Sequence, residues 1–116
     1  MIITVDLEDH TAPPALPRFD RAIEPLLAVL AERQARATFF VVGELIPRWI
    51  GQLRDLAGAG HEIGLHGFTH RRVLDLGPKS FSDEIRKGIE ALGEHVGVSP
   101  AGFRAPFCSI TERTPW

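Results

Sequence analysis

Cysteine is nearly absent from this chain of 116 residues, and it has neither a long apolar run nor an excess of positive charge. The single cysteine, Cys108, excludes an internal disulfide. No stretch approaches the roughly 20 apolar residues that a membrane-spanning helix needs. Thirteen basic and fifteen acidic residues give a formal net charge of −2. The chain therefore lacks the basic surplus that binds nucleic acid, polyphosphate or an anionic membrane surface.

The rest of the composition is typical of a soluble globular protein. Hydrophobic residues make up 44% of the chain and charged residues 24%, which are ordinary values. The length allows one domain with a real core, but a closed α/β barrel needs roughly 200 residues or more. Because the first apolar run begins at residue 1 without a basic leader, we predict a cytoplasmic location, with export left open.

Apolar runs and amphipathic segments alternate along the chain. Short β-branched runs predict buried strands, and apolar residues three and four apart predict helices. The predicted strands cover residues 1–5, 37–42, 61–65 and 101–104, and the predicted helices cover 19–33, 46–56 and 80–97, with a loop over 11–17. Ser80 and Asp83 resemble a capping box that opens the third helix, whose buried stripe is predicted to contain Ile85, Ile89 and Leu92.

This order of elements predicts an α/β protein with parallel strands and helices packed outside the sheet. We interpret residues 1–116 as a single incomplete domain, the N-terminal part of a larger one that is truncated after the fourth strand. The reason is that four strands would leave one sheet edge uncovered. A second copy of the chain could cover that edge, so a homo-oligomer is also predicted.

Three short motifs with reactive side chains follow predicted strands. They are Asp6-Leu7-Glu8-Asp9, His66-Gly67-Phe68-Thr69-His70 and Arg104-Ala105-Pro106-Phe107. The carboxyl ends of parallel strands meet at one edge of a sheet, which is where barrel-like α/β enzymes build their sites. The three motifs together therefore predict a metal-dependent hydrolase rather than a binding module.

The two histidines of the second motif are candidate metal ligands. His66 and His70 are four residues apart, and on a helical turn that offset places both rings on one face. Catalytic zinc uses three protein ligands and leaves a fourth position for water, so a carboxylate is still needed. Asp6 and Glu8 share one face of a strand, and Asp9 lies in the turn after it. An isolated pair of histidines with this spacing more often lies in a solvated loop, and the acidic motif shifts the balance to a metal site.

The remaining groups are candidates for catalysis. If one carboxylate holds the metal, a second can take a proton from water. Arg104 can pair with a carboxylate and fix its direction. The proline of the third motif stiffens its loop, and the backbone N–H of Phe107 is a candidate donor to an oxyanion. We expect His61 to have a role in packing or capping, and Cys108 to be a small buried residue.

The sequence resembles the polysaccharide deacetylase family, carbohydrate esterase family four, along nearly its whole length. Besides the three motifs, the resemblance includes Ala37-Thr38-Phe39-Phe40-Val41-Val42-Gly43, Gly60-His61-Glu62-Ile63-Gly64-Leu65 and Gly102-Phe103. The first motif, with its three acids, and the Arg-Ala-Pro sequence of the third motif are most similar to those of the branch that trims bacterial exopolysaccharides.

The resemblance implies a distorted (β/α) barrel that binds a divalent metal, often zinc. Cobalt, nickel and iron also suit two imidazoles and a carboxylate. By resemblance, His66 and His70 would be metal ligands, Asp6 the general base paired with Arg104, and the N–H of Phe107 an oxyanion donor. The implied reaction is hydrolysis of an N-acetyl group on a carbohydrate, which releases acetate and an amine.

Three features depart from the family pattern. Many members have two adjacent aspartates in the first motif, whereas here we favour Glu8 as the third ligand and leave Asp9 as the alternative. Gly67 replaces the serine or threonine that often follows the first histidine. The supporting hydrogen bond that such a hydroxyl would make is therefore expected to be missing. The histidine that normally protonates the leaving amine would lie beyond Trp116.

Two other functions fit the same residues. One is an amidohydrolase that acts on a small cyclic amide or formamide with a similar scaffold. The other is a non-catalytic remnant that binds a metal or a glycan. Release of acetate from acetylated sugars is expected only of the carbohydrate deacetylase.

Overall fold

The computed structural model of the chain describes residues 2–9 and 18–114. The loop predicted over residues 11–17 and the terminal residue Trp116 lie outside the described residues. No helix within the two described ranges is both long and apolar enough to cross a membrane.

Three parallel strands form the sheet in this part of the chain. They are β1 (Thr4–Leu7), β2 (Thr38–Val41) and β3 (Glu62–Leu65), in the order β1-β2-β3. Thr38 is paired with Thr4 on one side and with Glu62 on the other, so the strands begin level with one another. The predicted parallel α/β arrangement is confirmed. The carboxyl ends of the strands consequently lie side by side.

The fourth predicted strand, over residues 101–104, is wrong as a strand. Phe103 makes a single parallel bridge to Leu65, and the N–H of Arg104 donates to the Leu65 carbonyl at 2.9 Å. Prolines at positions 100 and 106 bound this segment, and proline has no N–H to extend a ladder. The segment still brings Arg104 to the edge of the sheet where the other motifs lie.

A helix follows each strand. The helices are α1 (Arg18–Glu32), α2 (Ile50–Gly58) and α3 (Val73–Ala91). The residues predicted to begin the second helix instead form a 3-10 helix at Gly43–Arg48. Pro47 lies inside it and cannot donate a hydrogen bond to an earlier carbonyl, so the regular α-helical pattern starts only after this turn.

The third helix begins earlier than the sequence predicts. It is interrupted at Gly77, whose φ of +74° is readily adopted only by glycine. Ser80 therefore lies inside the helix, and the predicted capping box at this position is wrong. The predicted end is confirmed, because a π-helical turn at Leu92–Val96 stops at Gly97, whose φ is +83°.

The buried face of α3 also differs from the predicted stripe. Glu84, Gly88 and Leu92, each four residues apart, are buried, whereas Ile89 is 45% exposed. A Cβ atom on Gly88 would lie 2.8 Å from Leu65 Cδ1. The missing side chain lets α3 pack closely against β3, and this approach turns Ile89 outward.

The sheet has one apolar face and one polar face. The apolar face contributes buried core residues, namely Leu7, Phe39, Val41, Ile63 and Leu65. Side chains alternate along a strand, so Asp6 and Glu8 lie on the opposite side from Leu7. The candidate chemistry is thus on the polar face, at the carboxyl edge.

Candidate metal centre

Glu8, His66 and His70 lie together at this edge. Their potential ligand atoms are all within 4.8 Å of one another. Glu8 Oε2 is 2.7 Å from His70 Nε2 and 3.3 Å from His66 Nε2. Two imidazoles and one carboxylate are a common donor set for a catalytic divalent metal, which takes three protein ligands and keeps one position open.

Local structure brings these three side chains together from two strand ends. Glu8 follows β1 directly, and His66 follows β3 directly. The intervening residues fold the chain back, so that His70 has a φ of +54°. Left-handed backbone is unusual for a residue with a side chain, and such conformations cluster at functional sites. The two histidines therefore meet through a tight loop and not through a helical turn.

The ring of His66 is oriented by the third motif. Its Nδ1 lies 2.9 Å from the carbonyl oxygen of Arg104. A carbonyl oxygen only accepts hydrogen bonds, so Nδ1 carries the proton and donates it. In the neutral ring, Nε2 then has a lone pair directed toward the Glu8 carboxylate. A lone pair facing a carboxylate is unfavourable unless a proton or a metal cation lies between them, so this orientation suits a metal ligand.

Asp6 lies beside the donor set and is held by Arg104. Arg104 Nη1 donates to Asp6 Oδ1 at 2.7 Å, and Nη2 donates to Thr4 Oγ1 at 2.6 Å. The guanidinium carbon lies 4.3 Å from the centroid of the Phe40 ring. The other carboxylate oxygen of Asp6, Oδ2, is 3.9 Å from His66 Nε2. One oxygen of Asp6 is therefore paired, and the other faces the candidate metal site.

Asp9 lies next to this cluster but is not one of its three donors. Its Oδ2 is 3.8 Å from Arg48 Nη2. Asp9 also lines a small cavity of about 110 Å³ together with Glu8, His70 and Glu44. The structure therefore brings Glu8, rather than Asp9, to the two imidazoles.

Phe107 lies against His70 at the other side of the site. The two ring centroids are 4.9 Å apart. Phe107 is 65% exposed, and its φ of +56° places its backbone in the left-handed region. Cys108, which we expected to be buried, is exposed, because the 3-10 turn at Pro106–Cys108 lies on the surface beside the site.

Sequence reasoning missed two polar residues that support these loops. Glu84 is 9% exposed and accepts hydrogen bonds from the backbone N–H groups of Phe68 and Thr69. Ser109 is 5% exposed, accepts from the N–H of Val73 at 2.8 Å and donates to a carbonyl oxygen. The spacing of Glu84 from Gly88 and Leu92, by four and eight residues, was the signal that it faces the interior.

His61 lies away from the donor set and has the structural role expected of it. Its Nδ1 accepts a hydrogen bond from the Ala37 N–H at 3.2 Å. Its ring meets Phe39 edge to face, with centroids 5.3 Å apart. Burial, followed by the positive charge of Arg36, lowers the pKa of His61 below its usual 6.5. The neutral ring therefore links β2 to the start of β3.

Comparisons of the chain with known proteins agree on one family. A family model described as polysaccharide deacetylase matches residues 4–116. A peptidoglycan deacetylase of Helicobacter pylori is 29% identical over 92 residues, which are 79% of this chain and 31% of that protein. The chain thus spans about a third of the length of this curated relative.

Solved structures share the architecture. A candidate polysaccharide deacetylase from Mycobacterium smegmatis is 32% identical with a TM-score of 0.81, over 98% of this chain and 45% of that one. A family-four pseudoenzyme from Bacillus anthracis is 17% identical with a TM-score of 0.77, over 97% of this chain and 38% of that one. The predicted (β/α) barrel architecture is confirmed by such neighbours. Since a pseudoenzyme shares it, the fold alone does not decide activity.

Proposed function

The chain belongs to the polysaccharide deacetylase family, and from that membership we propose that it carries the metal-binding part of a carbohydrate N-deacetylase. The reaction is hydrolysis of an N-acetyl group, with release of acetate and a free amine. The observation that carries the proposal is the convergence of Glu8, His66 and His70, whose donor atoms lie within 4.8 Å of one another.

The donor set fits the divalent metal on which the family depends. Glu8, His66 and His70 would hold it, and the carbonyl of Arg104 fixes the ring of His66 so that its Nε2 is the ligand atom. We propose zinc as the metal. Cobalt, nickel and iron also suit the same three donors. A metal bound there supplies Lewis acidity to the amide carbonyl and lowers the pKa of water. Asp9 is the alternative ligand, disfavoured by its contact with Arg48.

The protein groups around the donor set have complementary roles. Asp6 accepts the proton of the attacking water through Oδ2, while its Oδ1 stays hydrogen-bonded to Arg104. A base with one oxygen already paired has a fixed direction, which is what proton transfer at short range requires. The backbone N–H of Phe107 donates to the carbonyl oxygen as negative charge develops on it. His70 and the Phe107 ring pack together and hold that loop beside the site.

The substrate that we propose is an N-acetylated glycan. The Helicobacter pylori relative is a peptidoglycan deacetylase, so glycan strands containing N-acetylglucosamine are the first substrates to test. The exopolysaccharide branch stays a prediction from the first and third motifs. The net charge of −2 gives no general attraction for strongly anionic polymers.

Metal binding is the direct test of the proposal. Titration calorimetry of the metal-free chain with zinc should give one site, and His66→Ala should abolish or greatly weaken it. His95→Ala is the matched control, because it removes an imidazole from the π-helical turn at Leu92–Val96, outside the donor set. The proposal fails if zinc does not bind, or if both variants weaken binding equally.

Acetate release then separates the reaction classes. The zinc-loaded chain is incubated with N-acetylglucosamine oligomers and, separately, with small cyclic amides. The proposal predicts only slow acetate release from the oligomers, because the general acid expected beyond Trp116 is missing, and a rate that falls by a further factor of roughly 10²–10⁴ in Asp6→Asn. Hydrolysis of the small amides alone would favour an amidohydrolase. Metal binding without turnover of either substrate, even when the expected C-terminal part of the domain is restored, would favour a non-catalytic role.

A further inference from the structure

We propose that Glu84 is a positioning residue for the metal-binding loop at residues 66–70. This inference rests on the function proposed above, because it assigns Glu84 a role in holding the two candidate histidine ligands. Glu84 lies on α3, outside the three motifs, and its hydrogen bonds run to Phe68 and Thr69. It acts through the residues that separate His66 from His70.

Three hydrogen bonds join Glu84 to the loop. Its Oε2 accepts from the N–H of Phe68 at 3.0 Å and from the N–H of Thr69 at 3.3 Å. Its Oε1 accepts from the hydroxyl of Thr69. Both carboxylate oxygens are therefore used on two adjacent residues in the middle of the loop.

The opposite side of the loop is fixed by the start of the 3-10 helix that follows β2. The N–H of Gly43 donates to the Gly67 carbonyl at 3.0 Å, and the N–H of Glu44 donates to the Phe68 carbonyl at 3.0 Å. The peptide groups around Phe68 are thus held from both sides. Because His70 is only two residues further on and has a φ of +54°, movement of Phe68 and Thr69 would displace the imidazole of His70.

The burial of Glu84 indicates that its carboxylate serves to hold the loop. Glu84 is 9% exposed and shares the inner face of α3 with Gly88, and Leu92 continues that face in the π-helical turn. A buried carboxylate is costly unless hydrogen bonds compensate it, and an apolar side chain would avoid that cost. The loop is therefore anchored from α3.

Zinc affinity measured on three variants tests the proposal. Glu84→Ala removes all three hydrogen bonds, and we expect its zinc dissociation constant to rise roughly 10–100-fold, as is usual for residues that orient metal ligands. In Glu84→Gln, the amide oxygen can accept from both N–H groups and the amide nitrogen can donate to the Thr69 hydroxyl. Its affinity should therefore stay close to the wild-type value.

Glu90→Ala is the matched control. Glu90 lies on the same helix, is exposed and contacts Arg86, so its removal should leave zinc affinity unchanged. Thr69→Val provides a milder variant if Glu84→Ala does not fold, because it removes only the hydroxyl contact. We expect Thr69→Val to weaken zinc binding by a smaller factor than Glu84→Ala.

The outcomes separate this inference from the proposed function. If the wild type binds zinc and both Glu84→Ala and Thr69→Val bind it equally well, the role of Glu84 is overturned. The metal centre itself would then still stand. Equal loss in Glu84→Gln and Glu84→Ala would also overturn it, because the hydrogen-bonding geometry would then not be the cause. Failure of the wild type to bind zinc would overturn the metal centre and this role with it.

Discussion

Replacement of Arg104 by lysine tests whether the shape of the guanidinium group, and not only its charge, holds Asp6 in place. Arg104 donates to Asp6 at 2.7 Å and to Thr4 at 2.6 Å through different nitrogens. At the same time its guanidinium carbon lies 4.3 Å from the Phe40 ring centroid. A lysine ammonium keeps the charge but cannot reach both oxygens while lying over the ring.

The expected magnitude follows from these contacts. A hydrogen bond to a charged group contributes about 1.5–3 kcal/mol, and an exposed cation–π contact contributes about 0.5–1 kcal/mol. The side chains of Arg104 and Asp6 are 34% and 33% exposed, so solvent screening reduces the first value to about 1 kcal/mol. Lysine can retain the contact with Asp6. Arg104→Lys should therefore lower the free energy of unfolding by about 1–2 kcal/mol, and Arg104→Met by about 2–3 kcal/mol.

Urea unfolding with a chelator present measures this effect without a contribution from bound metal. The matched control is Arg86→Lys, because Arg86 also contacts two carboxylates but is 59% exposed on α3. We expect no measurable change for the control, since exposed ion pairs contribute little. Equal changes in Arg104→Lys and Arg86→Lys would refute the reasoning.

Two further predictions concern the supports of the site. In Gly43→Ala, the new Cβ would lie 2.9 Å from Phe68 Cα, so urea unfolding should show a loss of about 1–3 kcal/mol. Gly51→Ala has nothing within 4 Å and should be neutral or stabilising, and equal effects would contradict the close approach at position 43. The pKa of His61 is lowered by burial and by Arg36 from its usual 6.5, so the unfolded chain binds a proton more readily. The free energy of unfolding should therefore be highest above about pH 6.5 and should fall as the pH decreases. His61→Asn keeps an acceptor without titrating in this range, and it should lose less stability between about pH 7.5 and pH 5. The same pH dependence in both proteins would contradict the role of His61.

Much of the fold follows from local patterns in the sequence. Short β-branched runs place β2 and β3 within one residue of where the structure has them, and β1 within three, because a buried strand selects such residues wherever it lies. The segment at 101–104 contains no β-branched residue and forms only one bridge. Its flanking prolines limit the number of backbone hydrogen bonds that it can form. How many form depends on the neighbouring strand.

The face of α3 shows what a local pattern leaves undetermined. Helical spacing favours Ile89 for the interior, but the close approach of Gly88 to Leu65 turns Ile89 outward. The same rotation buries Glu84. Which of two amphipathic faces is buried depends on where the partner surface lies, and that is not encoded within the helix itself.

The sequence by itself determined which chemical groups are available: two imidazoles, three neighbouring acids and an arginine, all at or near the ends of predicted strands. Parallel strands then require those groups to share one edge of the sheet. Only the tertiary structure decided that Glu8 and not Asp9 meets His66 and His70, that the histidines meet through a left-handed turn, and that Glu84 anchors their loop. The physical reason is that these choices depend on distances between atoms far apart in the chain, which close packing sets.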